Sequence, residues 1–364
     1  MQAWRWDLFC RVIDNFGDVG VCWRLAGALG ARGQTVRLWL DDASALAWMA
    51  PHGAPGVTVL PWTASPPAQQ ATLEPGEIVI EAFGCEPPAA FVAAMARQAA
   101  AGPAPLWLNL EYLSAEAYVE RSHGLRSPQF SGPGAGLDKW FFYPGFSAAT
   151  GGLLQDGSAL ADDPAGARAW LLAQPWAAGL RADDQLLLLF GYPSPVWPAL
   201  LPLLAPPGTV LLLPPGGLRS QLQATTLPAG SRLLPVPHLP QPDFDQLLAA
   251  TDFNVVRGED SFVRAQLCSA APFVWQIYPQ HDGAHGAKLE AFLDCYLAAG
   301  PAPLAQDIRQ WMRAVNGLAR PSLRPLQPLD AAAWQRWHRG WRRQLLAQDD
   351  LVSQLLRFVV SKRA

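Results

Sequence analysis

The order in which buried strands and amphipathic helices follow one another is the feature of this sequence that most limits its fold. Residues 4–14 are rich in β-branched and aromatic side chains, and after a glycine turn residues 21–33 have a helical pattern that Gly33 ends. A second strand pattern covers residues 35–42. This strand–helix–strand unit has the length that parallel sheets use, so it predicts a parallel sheet with right-handed crossovers.

The alternation of strands and helices stops and then starts again. Residues 144–182 are rich in Gly, Asp and Pro, and a new buried strand pattern begins at Leu186–Phe190. A chain of 364 residues is long enough for two domains. We predict the α/β class with two Rossmann-like domains, 1–180 and 181–344, whose sheets meet at one cleft; the helical stretch 345–364 can pack back on the first domain.

Composition and charge exclude several classes of protein. Half of the residues are apolar and 16% are charged, which excludes a disordered or coiled-coil chain. The 27 basic and 30 acidic residues give a formal net charge of −3, so there is no excess of positive charge for nucleic acid. Five scattered cysteines indicate free thiols in a reducing compartment. Because no apolar run has the length of a membrane span, we predict a cytoplasmic protein with no membrane or nucleic-acid partner.

The turn after the first strand carries two aspartates, Asp14 and Asp18, on either side of Gly17. A dinucleotide-binding turn has three glycines in the pattern G-x-G-x-x-G, and this turn has only Gly17 and Gly20, which disfavours a nicotinamide-dependent oxidoreductase. An aspartate at this position also commonly caps a helix. Two carboxylates at the carboxyl end of a strand nevertheless stand where a general base is needed, and they are the candidate catalytic groups.

A second candidate site follows the strand pattern at residues 253–256. That strand runs into Arg257 and then into a helix that starts near Asp260 and Ser261. The amide groups at a helix amino terminus favour a diphosphate, and an arginine beside them adds a charge-assisted contact. The alternative is that Asp260 or Ser261 only caps the helix, and both interpretations are compatible.

Aromatic residues near strand and helix ends offer platforms for a nucleotide base. Phe190 and Tyr192 stand at the end of one strand pattern, and Phe244 stands at the start of a helical one. Stacking of a base on an aromatic ring is worth about 1–3 kcal/mol. Each of these rings has core packing as its alternative role.

The triplet around Phe244 also contains the pattern Asp-x-Asp, formed by Asp243 and Asp245. This pattern can hold a divalent metal in nucleotide-sugar chemistry. Here it opens a helical stretch, where acidic residues are favoured by the helix dipole. We therefore predict no metal site.

Four segments together resemble the bacterial elongation factor P arginine rhamnosyltransferases: residues 10–25, 190–192, 257–265 and 272–280. The resemblance covers essentially the whole chain, and the first and third segments are specific to that family. It implies the GT-B fold and an inverting transfer of L-rhamnose from dTDP-β-L-rhamnose to one arginine of translation elongation factor P. It also implies that the enzyme needs no metal and no other cofactor.

The resemblance places the catalytic aspartate on Asp18 and its companion on Asp14. An arginine side chain has a pKa far above neutral and is protonated, so a carboxylate has to orient it and accept a proton as the bond to the sugar forms. The alternative is a GT-B transferase that uses the same donor site for a small-molecule or lipid acceptor. The sequence leaves that alternative open.

The same resemblance assigns roles on the donor side. It implies that Gln241 and Phe244 hold the thymine and that Glu259 orders the nucleotide. Tyr192 and the start of the helix after Glu259 contact the diphosphate. The donor-binding residues implied are Asn15, Phe16, Gly17, Phe190, Tyr192, Gln241, Phe244, Arg257, Glu259, Asp260 and Ser261.

Overall fold

A computed structural model of the protein describes residues 2–13, 16–62, 74–279, 283–318 and 326–363. The chain divides into two compact units. The first unit consists of Met1–Asp156 and Gln348–Ala364, and the second unit consists of Gly157–Ala347.

Strands and helices alternate along both units, which confirms the predicted α/β class. The strands are β1 (Arg5–Cys10), β2 (Thr35–Leu40), β3 (Val57–Pro61), β4 (Ile78–Ala82), β5 (Leu106–Leu110), β6 (Arg126–Pro128), β7 (Asp138–Phe142), β8 (Leu186–Leu189), β9 (Val210–Leu213), β10 (Arg232–Pro235), β11 (Phe253–Arg257) and β12 (Phe273–Gln276). The α-helices are α1 (Gly17–Ala31), α2 (Leu46–Met49), α3 (Ala89–Ala101), α4 (Ala117–Ser122), α5 (Pro164–Leu172), α6 (Trp197–Leu204), α7 (Gly217–Gln223), α8 (Gln241–Ala250), α9 (Asp260–Leu267), α10 (Ala284–Leu297), α11 (Ala302–Val315), α12 (Ala331–Leu346) and α13 (Leu351–Arg363). Two 3₁₀ helices cover Ser158–Asp162 and Pro175–Ala177.

The first helix shows why the amino-terminal sequence folds as it does. Val19, Cys22, Ala26 and Leu29 recur at helical spacing, and all four are buried. Helix α1 ends just before Gly33, which has a φ of 78°. This left-handed conformation closes a helix at little cost only with glycine.

The sheet of the first unit has the strand order β3-β2-β1-β4-β5-β7-β6. All pairs are parallel except β6 with β7. The order changes direction between β1 and β4, and ligands of such sheets bind at this switch point, outside the carboxyl ends of the strands.

The sheet of the second unit has the order β10-β9-β8-β11-β12 and is entirely parallel. Its β8 and β11 correspond to β1 and β4 of the first sheet, so its switch point lies between β8 and β11. Both units therefore have the doubly wound, Rossmann-like arrangement.

From residue 157 onward, the Gly-, Asp- and Pro-rich stretch between the two sheets packs within the second unit. Helix α5 lies against α8. Arg342 on α12 donates to Asp162 at 2.8 Å, and Arg168 on α5 donates to the carbonyl oxygen of Ala250 at 2.9 Å. The division between the units thus falls at Asp156 and Gly157, inside the Gly-, Asp- and Pro-rich stretch and 24 residues before the boundary at residues 180 and 181 predicted from composition.

Helix α13 belongs to the first unit. Leu351, Leu355 and Val359 on its apolar face are buried in the same core as Trp6 and Leu8 of β1. The amide of Leu351 donates to the carbonyl oxygen of Leu153 at 2.8 Å. The carboxyl-terminal helix therefore completes the core that the amino-terminal strands begin. Among the described helices, none is long and apolar enough to cross a membrane.

His338 on α12 is a core residue of the second unit that the sequence does not single out. Its side chain is fully buried, with Nε2 3.2 Å from the carbonyl oxygen of Ser269 and the ring edge-to-face against Phe273 at 5.3 Å. Burial lowers the pKa of His338 from 6.5 to about 4. The imidazole is therefore neutral in the folded protein at neutral pH.

This burial predicts that the second unit loses stability in mild acid. Between pH 6.5 and 4 the unfolded chain binds a proton at His338 that the folded chain does not bind. We expect the contribution of His338 to the unfolding free energy to fall by up to about 3 kcal/mol across this interval, with the full contribution restored above pH 6.5. Urea unfolding of the wild type and His338→Leu at several pH values measures the effect. Equal pH slopes for both proteins would contradict it.

Candidate active site

The loop between β1 and α1 is held by two carboxylates. The amide of Val12 donates to Asp41 Oδ1 at 2.9 Å, and the amide of Ile13 donates to Asp18 Oδ2 at 2.8 Å. Asp18 lies in the first turn of α1, with only 2% of its surface exposed. The residue before α1 is Phe16, so Asp18 is not the N-cap, and its hydrogen bond runs back to the loop. The carboxylate therefore stands at the carboxyl edge of β1, where a general base was predicted.

Tyr112 contacts the same carboxylate from the neighbouring part of the sheet edge. Its hydroxyl donates to Asp18 Oδ1 at 3.2 Å, and its ring stacks on Phe83 at a centroid distance of 4.2 Å. Tyr112 follows β5 and Phe83 follows β4, beside the switch point. Tyr112 is not among the residues predicted from the sequence, although an aromatic hydroxyl just after a buried strand is a usable signal.

The remaining candidates of the first turn are only partly described. Asp14 and Asn15 lie outside the described residues. Phe16 packs edge-to-face on Trp48 of the first unit at 5.1 Å, and Gly17 is the first residue of α1. Their donor-binding roles stay predictions.

The second unit brings four predicted residues together at the switch point of its sheet. The guanidinium of Arg257, at the end of β11, lies 4.5 Å from the ring centre of Phe190 and 4.9 Å from that of Tyr192. Phe244 packs edge-to-face on Phe190 at 5.2 Å. We call these four residues the aromatic–arginine cluster. The cluster combines flat aromatic rings, on which a base can stack, with a cation that can bind phosphate. A binding site for a nucleoside diphosphate needs both.

Gly191 lies between Phe190 and Tyr192, just after the end of β8. A Cβ at this position would lie 2.7 Å from Gln276 Oε1. The same oxygen accepts the amide of Tyr192 at 2.7 Å. Only glycine leaves room for this hydrogen bond, which fixes Tyr192 over Arg257.

The start of α9 adjoins the cluster. The amide of Arg257 donates to Ser261 Oγ at 3.2 Å, and the Ser261 hydroxyl donates to the carbonyl oxygen of Arg257. Ser261 thus ties the strand end to the helix. Glu259 precedes α9 and Asp260 begins it, both half-buried. The N-cap residue of α9, Glu259, makes no side-chain capping hydrogen bond, and the two bonds of the Ser261 hydroxyl run back to the backbone of Arg257.

Helix α8 carries the other predicted donor residues. Gln241 is its first residue and is buried, and Asp243 lies in its first turn, where burial raises its pKa. Asp245 is bound on both oxygens by Arg264, with Nε–Oδ1 and Nη2–Oδ2 distances of 3.1 and 3.0 Å. One aspartate of the Asp-x-Asp pattern is thus in an ion pair. Across the ranges that the structure describes, no three His, Cys, Asp or Glu side chains come together as metal ligands.

Two Rossmann-like sheets with the same order of their first five strands are the arrangement found in the GT-B fold. The calicheamicin glycosyltransferase CalG4 has the same fold as this chain, with a TM-score of 0.52 over 100% of both chains at 12% sequence identity. At this identity the likeness shows the fold alone. It confirms the predicted fold class.

The family follows from closer comparisons. The family model described as Elongation-Factor P (EF-P) rhamnosyltransferase EarP matches residues 6–360. A protein-arginine rhamnosyltransferase of Pseudomonas putida is 41% identical over 384 aligned residues, which cover 97% of this chain and 98% of that protein. A solved structure from work on EarP-mediated arginine glycosylation of translation elongation factor EF-P has a TM-score of 0.62 at 28% identity, covering 98% of this chain and 99% of that one. The chain belongs to the EarP family and is a protein-arginine rhamnosyltransferase, which confirms the resemblance.

Proposed function

We propose that the enzyme transfers L-rhamnose from dTDP-β-L-rhamnose to an arginine of translation elongation factor P, with inversion at the anomeric carbon. The observation that carries the donor assignment is the aromatic–arginine cluster at the switch point of the second sheet. A nucleotide base can pack on its rings, and Arg257 can bind the diphosphate. Membership of the EarP family supports the sugar and the protein acceptor.

The acceptor chemistry is assigned to Asp18, with Asp14 as its companion. A protonated guanidinium is a poor nucleophile because its lone pairs are delocalised and one nitrogen proton has to leave. Asp18 accepts hydrogen bonds from the guanidinium and orients one nitrogen behind the anomeric carbon. That nitrogen forms the bond to carbon, Asp18 takes the proton, and dTDP leaves with the electron pair of the broken C–O bond. A carboxylate that is almost excluded from water attracts a cation more strongly than an exposed one.

Negative charge develops on the leaving dTDP. We assign its stabilisation to Arg257 and to the amides at the start of α9. Groups that are already oriented toward developing charge stabilise a transition state without reorganisation. In this proposal no metal ion and no cofactor besides the sugar nucleotide is needed. The enzyme's partner is elongation factor P, without nucleic acid or membrane.

Intact-mass spectrometry tests the proposed function. Purified elongation factor P is incubated with the enzyme and dTDP-β-L-rhamnose, and we expect one added deoxyhexose on one arginine. A variant of elongation factor P with lysine in place of that arginine is the control and should stay unmodified. Transfer to a small molecule or lipid, with no mass change on the protein, would refute this acceptor and support the alternative.

The donor assignment makes a prediction about Arg257. We expect Arg257→Gln to weaken dTDP binding about ten- to a hundredfold, because hydrogen bonds to charged groups contribute about 1.5–3 kcal/mol each. Thymidine, which has no phosphate, should bind to both proteins within about threefold. Isothermal titration calorimetry with the two ligands measures this difference.

Arg309→Gln is the matched control for that titration. Arg309 is an arginine of the second unit whose ion pairs are with Glu290 and Asp294. We expect its dTDP affinity to equal that of the wild type. Equal losses for thymidine and dTDP in Arg257→Gln would show that Arg257 supports the fold of the site and does not bind phosphate.

A further inference from the structure

We propose that Tyr112 is a positioning residue for Asp18, whose hydroxyl fixes one carboxylate oxygen so that the carboxylate faces the incoming guanidinium. This inference rests on the proposed function, since the orientation of Asp18 matters for transfer only if Asp18 accepts the proton. None of the sequence motifs assigns a role to Tyr112.

Two donors hold different oxygens of Asp18. The Tyr112 hydroxyl donates to Oδ1 at 3.2 Å, and the amide of Ile13 donates to Oδ2 at 2.8 Å. The torsion that rotates a carboxylate about its Cβ–Cγ bond has a broad minimum, so one hydrogen bond does not define its plane. The two donors come from the ends of β5 and β1. Together they fix the carboxylate plane relative to the sheet.

The Tyr112 ring is itself held in place by its contact with Phe83. It stacks on Phe83 with an angle of 10° between the ring planes and a centroid distance of 4.2 Å. Phe83 has a φ of 57°, a left-handed conformation that is rare for an aromatic residue and costs about 1–3 kcal/mol. Its amide donates to the carbonyl oxygen of Leu110 at 2.7 Å. The fold thus maintains a strained residue in the position from which its ring supports Tyr112.

Tyr112 and Asp18 differ strongly in their exposure to solvent. Tyr112 is 37% exposed, whereas Asp18 is 2% exposed. A tyrosine that served only core packing would be buried, and this one extends from solvent to a buried carboxylate. A phenol hydroxyl can both donate and accept. When Asp18 takes the acceptor proton, the same contact persists with the carboxylic acid donating to the Tyr112 oxygen.

Tyr112→Phe tests the inference because it keeps the stacked ring and removes only the hydroxyl. We expect kcat for rhamnosylation to fall about tenfold, which corresponds to one hydrogen bond to a charged group. The KM for elongation factor P and the affinity for dTDP should stay within twofold. An unchanged kcat, or a loss confined to KM, would overturn the positioning role.

Tyr296→Phe is the matched control for a hydroxyl with a purely structural hydrogen bond. Tyr296 is buried in the second unit, where its hydroxyl accepts from Trp334 Nε1 at 2.9 Å. We expect this variant to have a lower Tm and an unchanged kcat. If Tyr112→Phe showed the same pattern as Tyr296→Phe, Tyr112 would be structural only.

A double variant and a structure complete the test. In an Asp18→Asn background, Tyr112→Phe should cause no further loss of the residual kcat, because a positioning residue acts through the group it positions. Independent losses that multiply would contradict the inference. Crystal structures of the wild type and Tyr112→Phe should show one Asp18 orientation in the first and more than one in the second. This comparison needs no activity, so an unmoved Asp18 overturns the positioning role, whereas failed rhamnosyl transfer by the wild type overturns the proposed function.

Discussion

Asp18→Asn is expected to lower kcat for rhamnosyl transfer at least about a hundredfold, within the range of about 10²–10⁴ that general base catalysis supplies. Asparagine has the same shape as aspartate and keeps an oxygen that can accept the Ile13 amide, but it has no negative charge and cannot take the guanidinium proton. Single-turnover kinetics with elongation factor P measures the loss. Calorimetry should show nearly unchanged dTDP binding, because the aromatic–arginine cluster and the start of α9, which are proposed to bind dTDP, belong to the second unit.

The control for this prediction is Asp41→Asn. Asp41 also accepts a loop amide, that of Val12 at 2.9 Å, and the amide oxygen of asparagine can keep this bond. We expect its kcat to stay within about threefold of the wild type, as for other changes of a partly solvated hydrogen bond. If both variants lost activity equally, the carboxylates would serve to hold the loop, and Asp18 would have no chemical role.

Arg264→Leu is expected to have the largest effect on stability, lowering the unfolding free energy of the second unit by about 3–5 kcal/mol. The side chains of Arg264 and Asp245 are 0% and 4% exposed, and Arg264→Leu takes the guanidinium away from a carboxylate that is excluded from water. Arg264 also contacts Cys268 Sγ at 2.8 Å. Chemical denaturation monitored by fluorescence and circular dichroism measures the change.

The double variant Arg264→Leu/Asp245→Leu separates the ion pair from simple packing. Because removing both charges removes the desolvation penalty too, it should recover most of the stability lost in the single variant. A double variant as unstable as the single one would contradict this explanation. The ion pair also joins α8, which carries Phe244, to α9, which begins the proposed phosphate site. We therefore expect the single variant to bind dTDP more weakly even where it is folded.

The order of elements and the position of the sites could be predicted because they depend on local patterns. The strand and helix patterns at 4–14 and 21–33 correspond to β1 and α1, although α1 begins earlier, at Gly17. Asp18 consequently lies in the helix and not in a turn. Helix ends are poorly defined by periodicity, since glycine and aspartate are common both in first turns and in loops.

Long-range partners were not predictable in the same way. The bond between Tyr112 and Asp18 joins residues 94 positions apart, and the bond between Asp245 and Arg264 depends on how two helices pack. The sequence correctly favoured a helix start for the Asp-x-Asp pattern, but it gave no sign that Asp245 has a buried arginine partner. The Gly- and Pro-rich composition of residues 144–182 indicates a change of domain. It does not show with which of the two domains helix α5 packs.

The path of the chain has a consequence for biosynthesis. The second unit is one continuous segment and can fold as soon as it has left the ribosome, whereas the core of the first unit includes Leu351, Leu355 and Val359 of α13. Until translation reaches that helix, β1 and its neighbours have an uncovered apolar face that invites aggregation or chaperone binding. The half of the enzyme that is translated first is thus the half that matures last.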